Sequence, residues 1–111
     1  PAPDIIKIDV EGFERPALAG LSKTIREVAP AVLMETSPYT WKSFPSLADL
    51  QAVLPDMDFL ELRATADPWA YRAGPLRFGI SEEIVAIPHN RANLRAAFAP
   101  ALDSIKDRPR I

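Results

Sequence analysis

Short apolar runs that suit sheet pairing alternate along this chain with apolar stripes at helical spacing. That alternation narrows the fold more than any other feature. Ile5-Ile6-Lys7-Ile8-Asp9-Val10 is a β-branched run and reads as a buried strand. Gly12 follows, and Pro16 suits the first turn of a helix, where its missing N–H costs nothing. Leu18, Leu21, Ile25 and Val28 then form one stripe, which Pro30 ends. Ala31 to Met34, running into Glu35-Thr36, reads as a second buried strand, and 37–45 as a loop rich in aromatic and polar residues.

Ser46 and Asp49 resemble a capping box, opening a short helix on Leu47, Leu50 and Leu54 that Pro55 closes. A third strand is predicted over 59–63, a long irregular connection over 64–81, and a fourth strand over 83–87, closed by Pro88. Asn90 is placed to cap a last helix carrying Leu94, Phe98 and Leu102, and 106–111 reads as a polar tail that frays. The chain holds 12 prolines against 4 glycines, and most prolines fall at these joins, where they act as punctuation.

The resulting order, β-α-β-α-β-loop-β-α, predicts an α/β fold with a mostly parallel sheet covered on both faces. The third and fourth strands have no helix between them and are free to pair antiparallel at a sheet edge. The first strand lacks a partner on one side, which makes it an exposed edge. The chain also starts with Pro1 rather than Met and enters a strand within a few residues. The expectation is therefore an absent N-terminal part, or a partner chain that supplies the missing strands.

Bulk numbers narrow the function classes. The 111 residues suffice for one small domain. The net charge of −2 gives no basic excess to attract nucleic acid or an anionic membrane. No apolar run reaches the length of a membrane span, and the first residues lack the pattern of a signal peptide. Cysteine is absent, which removes disulfides, thiolate metal sites and a thiol nucleophile. It also fits a reducing compartment, so a cytoplasmic location is expected.

Chemistry concentrates at the end of the first strand. Asp9 and Glu11 sit at its carboxyl end, where open α/β sheets bind ligands, and residues two apart on a strand share a face. Neighbouring carboxylates discourage joint ionisation, so one of them could act as a general base near neutral pH, or the pair could hold a hard cation. Equally, they could be polar strand-end residues that bond the next loop. Gly12 permits a sharp turn or a close ligand approach. Asp4, Asp9 and Glu11 also match three acids of the D-x-x-D-x-D-x-E strand of chitinase-like glycosidases, with Lys7 at the remaining acid position. That fold is a barrel of roughly 250 residues, and too few strands are present here.

The run Asp4-Ile5-Ile6-Lys7-Ile8-Asp9-Val10-Glu11-Gly12-Phe13-Glu14, then Leu18 and Gly20, then Pro30-Ala31-Val32-Leu33-Met34-Glu35, resembles the central signature of FkbM-type methyltransferases. Glu83 to Pro88 resembles the family's final strand, so the similarity covers roughly residues 4 to 90. The resemblance implies the C-terminal half of a Rossmann-like class I methyltransferase fold. Its sheet is parallel except for the last strand, inserted antiparallel between the two before it. It also implies S-adenosylmethionine as cofactor, held largely by a glycine-rich loop and an acidic residue in the half that is absent. Residues 1–102 are then a partial methyltransferase domain and 103–111 a polar tail.

On this template Asp9, Glu11 and Glu35 are the candidate catalytic residues. Tyr39 and Trp41, with Phe44 in the same loop, are candidates for an acceptor pocket, although such aromatics also serve to pin a loop to the core. Trp69 and Tyr71 carry the same two readings. Lys7 is expected to bury its stem and reach a carboxylate. His89 reads as a turn or cap neighbour, Arg91 and Arg95 as solvated surface, and no metal site is assigned. The implied activity is methyl transfer to a hydroxyl of a small metabolite or sugar. The competing reading is a truncated, non-catalytic domain that binds a partner chain or a second copy through the exposed sheet edge.

Overall fold

In a computed structural model, which describes residues 4–67 and 70–106, Ile5–Ile8 (β1) and Ala31–Glu35 (β2) pair in parallel with Ile8 opposite Met34. A parallel pair needs a crossover, and two helices provide it: Glu14–Gly20 (α1) and Ser22–Val28 (α2). The single predicted stripe is thus split at Leu21, whose N–H is shared between the carbonyls of Ala17 and Leu18. Gly20, a weak helix former, marks the break.

The segment read as a loop after the second strand contains a helix, Pro38–Ser43 (α3). Pro38 lies in its first turn, and Ser37 and Thr40 cap each other reciprocally, so a Thr does the work usually given to Glu or Gln. The Ser46–Asp49 capping box forms as predicted and opens Leu47–Val53 (α4). Met57–Ala64 (β3) follows. Within the supposed irregular connection lies a further strand, Tyr71–Pro75 (β4), paired antiparallel to β3. Glu83–Pro88 (β5), Ala92–Ala97 (α5) and Ala99–Lys106 (α6) complete the described chain.

The last predicted helix is two. Pro100, in the first turn of α6, has no N–H to give to the preceding turn, and the chain breaks at Phe98. Arg91, not Asn90, occupies the N-cap of α5, and it makes no side-chain cap bond. Helix α6 runs through Lys106, so 103–106 belongs to a helix rather than to the tail; 107–111 lies outside the described residues, as does Trp69.

The sheet order is β1-β2-β5-β3-β4. Only the β1–β2 pairing is parallel; β2–β5, β5–β3 and β3–β4 are antiparallel. This corrects the expectation of a mostly parallel sheet. The cause is topological: β5 inserts between β2 and β3, which themselves run in the same direction, and β4 folds back on β3 as a hairpin. β5 is consequently central, and β1 and β4 form the edges.

Helices cover both faces. Val32, Met34, Phe59, Ile84 and Ile8 pack on α1 to α4 through Leu18, Ile25 and Leu50. Ala31, Leu60, Val85 and Ile87 pack on α5 and α6 through Leu94 and Leu102. The strands alternate between these two cores as a pleat requires. On β1, Ile6 and Ile8 serve the first core, whereas Ile5 is 56% exposed and Lys7 is exposed. β1 is thus open along its outer edge and on one face. Among the described residues no helix is long and apolar enough to cross a membrane.

Candidate functional site

The carboxyl ends of β1 and β2 set the candidate residues. Continuing the β1–β2 register by one step beyond Ile8 and Met34 brings Asp9 beside Glu35, and neighbouring strands lie about 5 Å apart. Both side chains are exposed. Glu11 departs from the same-face expectation because the strand ends at Ile8. Val10 to Phe13 is a turn in which Glu11 (φ 40°) and Gly12 (φ 97°) both take positive φ, and the Phe13 N–H donates to the Val10 carbonyl at 3.1 Å. Glu11 is carried at the tip of that turn, exposed to solvent.

Two contacts hold the turn. The Gly12 N–H donates to Glu14 Oε2 at 2.8 Å, and Glu14 is only 1% exposed. A Cβ placed on Gly12 would stand 3.0 Å from Tyr39 Cβ, so α3 packs directly against the turn. Tyr39 itself is 68% exposed, with Lys42 Nζ 5.7 Å from its ring centre. Trp41 turns the other way. It stacks edge-on against Phe78 at 4.9 Å and donates through Nε1 to the Ser81 carbonyl at 3.1 Å, tying α3 to the segment before β5. Phe44 is fully buried in the core, which excludes it from any pocket.

A cavity of about 640 Å³ opens at the same end of the sheet, beyond β2. Glu35, Ser37, Glu61, Arg63, Tyr71 and Glu83 are among its lining residues, and Asp9 and Glu11 are not. Glu35 therefore lines the cavity, and Asp9 stands outside it. Directly opposite Glu35 in the β2–β5 register is Glu83. Partial burial, followed by the Glu35 charge, raises the Glu83 carboxyl above its ordinary 4.5, and Lys7 partly offsets this. The carboxyl with the raised pKa at this end is therefore Glu83, a residue the strand-end argument did not select. Lys7 acts through its charge on Glu83 and forms no ion pair among the described residues.

The cavity floor is a buried polar knot. Glu61, 4% exposed, accepts from Arg77 Nε and Ser81 Oγ, each at 2.7 Å, and Arg63 Nε lies 3.7 Å away. Burial pushes its carboxyl up, but the bonds from Arg77 and Ser81 and the charges of Arg77 and Arg63 outweigh it, and its pKa is lowered. Ser81 also accepts the Arg77 N–H, and its carbonyl takes the Thr36 hydroxyl as well as Trp41. Sequence reasoning assigned no site role to Glu14, Glu61, Ser81 or Glu83, although Glu14 and Glu83 lie in the motifs it used. The Glu-Gly-x-Glu spacing at 11–14 was visible, but the bonds that tie Glu61 to Arg77 and Ser81, and Ser81 to Thr36, span 16 to 45 residues.

The opposite end of the sheet is built differently. Asp58 pairs with His89 Nε2 at 3.3 Å and Arg95 at 2.9 Å, and the His89 N–H bonds the Asp56 carbonyl. Arg91 binds Asp4 at 2.6 Å and the end carbonyls Val28 and Ala29, so Arg91 and Arg95 are structural clamps rather than solvated surface. A hollow of about 400 Å³ lies there beside His89. Among the described residues no three His, Asp or Glu side chains converge as a metal would need.

With this geometry in place, comparison with known families is decisive. The model of the methyltransferase FkbM domain matches residues 1–66, more than half of the chain. The chain belongs to the FkbM methyltransferase family. The matched region of this FkbM-family chain runs from β1 through β3 and contains Asp9, Glu11, Glu35, Tyr39 and Trp41. No curated protein and no solved structure matches.

Proposed function

We propose that this chain builds the acceptor side of an S-adenosylmethionine-dependent methyltransferase site and acts in the cytoplasm on a hydroxyl oxygen of a small metabolite or sugar. The observation that carries the proposal is that two exposed acids, Asp9 just after β1 and Glu35 at the end of β2, stand at the carboxyl ends of paired parallel strands, where open α/β sheets bind ligands. Asp9 or Glu35 orients the acceptor hydroxyl and takes its proton, and Glu11 closes the site from the turn. Tyr39, exposed and packed behind Gly12, offers an aromatic face to the acceptor. Positioning supplies much of the rate, because donor and acceptor must meet at near-attack distance.

The described glycines do not fit a cradle for the cofactor. The open side of Gly12 is filled by Tyr39, and Gly20, Gly74 and Gly79 lie apart on α1, β4 and the turn before Ser81. The cofactor would supply the methyl group, and in this reading the residues that would hold it lie on strands joined to the open edge of β1. The chain is then the C-terminal half of a class I fold, a reading supported by the antiparallel insertion of β5 between β2 and β3. The same open edge favours a second reading, a non-catalytic domain that binds a partner chain there.

Labelled-methyl transfer by the full natural polypeptide to a panel of hydroxyl acceptors tests the proposal. Asp9→Asn and Glu35→Gln are expected to lower kcat by about 10²–10⁴-fold, the usual worth of a positioned base, for whichever residue takes the proton. Undiminished transfer by the double variant overturns the assignment. No transfer by the natural protein leaves the partner-binding reading.

A further inference from the structure

Glu14 stands out because a buried carboxyl group is costly: an acid suits the first turn of α1, but that turn does not require the side chain to be 1% exposed. An apolar side chain of similar size would fill the same space. What Glu14 does instead is reach back and accept the Gly12 N–H at 2.8 Å. The turn it grips is strained. Glu11 is a non-glycine residue at φ 40°, followed by Gly12 at φ 97°. Such a conformation persists only where its surroundings over-determine it. Three constraints do so: the Phe13 to Val10 hydrogen bond, Tyr39 packed where a Gly12 side chain would sit, and Glu14 from beneath.

We propose that Glu14 is a positioning residue: by holding the Gly12 N–H from the protein interior, it fixes the turn that presents Glu11 and follows Asp9. Its value to catalysis rests on the acceptor-site reading given above, and its hold on the turn does not. Glu14 touches no substrate in this scheme; it acts through Gly12 on the acids either side of Val10.

Two substitutions separate this role from core filling. Glu14→Met keeps the bulk and removes the acceptor, whereas Glu14→Gln keeps a carbonyl oxygen that can still receive the Gly12 N–H. Residue-resolved hydrogen exchange on the full polypeptide should show the Gly12 amide exchanging about tenfold faster in the Met variant and near the natural rate in the Gln variant, with Val85 and Ile87 in β5 unchanged in both. In the transfer assay the Met variant lowers kcat by about ten- to a hundredfold, and the Gln variant restores it. Equal acceleration at Gly12, Val85 and Ile87, or no change at Gly12, overturns the proposal. If the natural protein transfers no methyl group while Gly12 responds as described, the proposed function fails and the positioning role stands.

Discussion

The acids beside β1 and β2 at the carboxyl end of the sheet meet different surroundings from those at its amino end, even though Glu61 at the carboxyl end is bonded to Arg77 and Ser81. At the amino end of β1 and β3, Asp4 and Asp58 are both answered. Asp58 has His89 and Arg95, Asp4 has Arg91, and Arg91 also takes two helix-end carbonyls. At the carboxyl end, the side chains of Asp9, Glu11 and Glu35 have no hydrogen-bond or ion-pair partner among the described residues, and Glu35 faces another acid, Glu83, across the β2–β5 ladder. Like charges facing each other across a ladder cost stability, which fits the acceptor site proposed at that end. The comparison also explains why the acids at the two ends cannot be ranked by residue type. Asp4 and Asp9 are five residues apart, one on each side of the same strand, and only the first is spoken for.

Substitutions at each end should move different observables. The largest effect belongs to the carboxyl end: Asp9→Asn together with Glu11→Gln is expected to lower methyl transfer by about 10²-fold or more while thermal unfolding stays within a degree or so, since neither side chain holds the fold. A large fall in the melting temperature would erase the contrast between the ends. Next is Arg91→Ala, which removes three charge-assisted contacts that join α2, the start of β1 and α5. A loss of about 2 kcal/mol is expected in denaturant unfolding, with kcat unchanged.

Smaller is Asp58→Asn, which weakens the pairing to His89 and Arg95 by about 1 kcal/mol, measured in the same way. The smallest is a gain. Glu83→Gln relieves the repulsion with Glu35 and should stabilise the protein by about 0.2–1 kcal/mol at neutral pH.

The pH dependence has a definite sign. The raised pKa of Glu83 favours the fold below the ordinary value of 4.5 and loses that contribution as pH rises through the raised value. Glu61, with its pKa lowered, contributes above 4.5 and loses its contribution as pH falls through the lowered value. Melting temperatures followed from acid to neutral pH should therefore flatten on the upper side in Glu83→Gln and on the lower side in Glu61→Gln. If Glu83→Gln destabilises at neutral pH, the two ends are less different than the geometry makes them.

Much of this arrangement could be read before any coordinates. The four apolar strands, the Ser46 capping box and the open first edge follow from local pattern. The acids at positions 9 and 11 follow from where the first strand ends, and Glu35 from the resemblance to the FkbM signature. What escaped depends on distant partners. β4 contains Arg72, Gly74 and Pro75 and has no clean alternation; it is a strand because β3 offers it a ladder, and as an edge it can accommodate a proline. α3 was hidden by its brevity and by a Thr in place of the usual Glu in its cap. The equivalence of Asp9 and Glu11 failed at Gly12, whose turn moves Glu11 off the face of the strand. Trp41 illustrates the limit of composition: the same ring beside the same strand end served both readings, and its bond to the Ser81 carbonyl ties it to the 75–81 segment.

The placement of β5 also governs how the chain can come together during synthesis. The strand made last of the five stands in the middle of the sheet, so β2 and β3 wait with bare facing borders until residues 83–88 have left the ribosome. Until then a parallel β1–β2 pair and a β3–β4 hairpin lack the strand that joins them into one sheet, and each is a template for stray pairing. Shortening the gene before that point therefore removes a keystone rather than a margin.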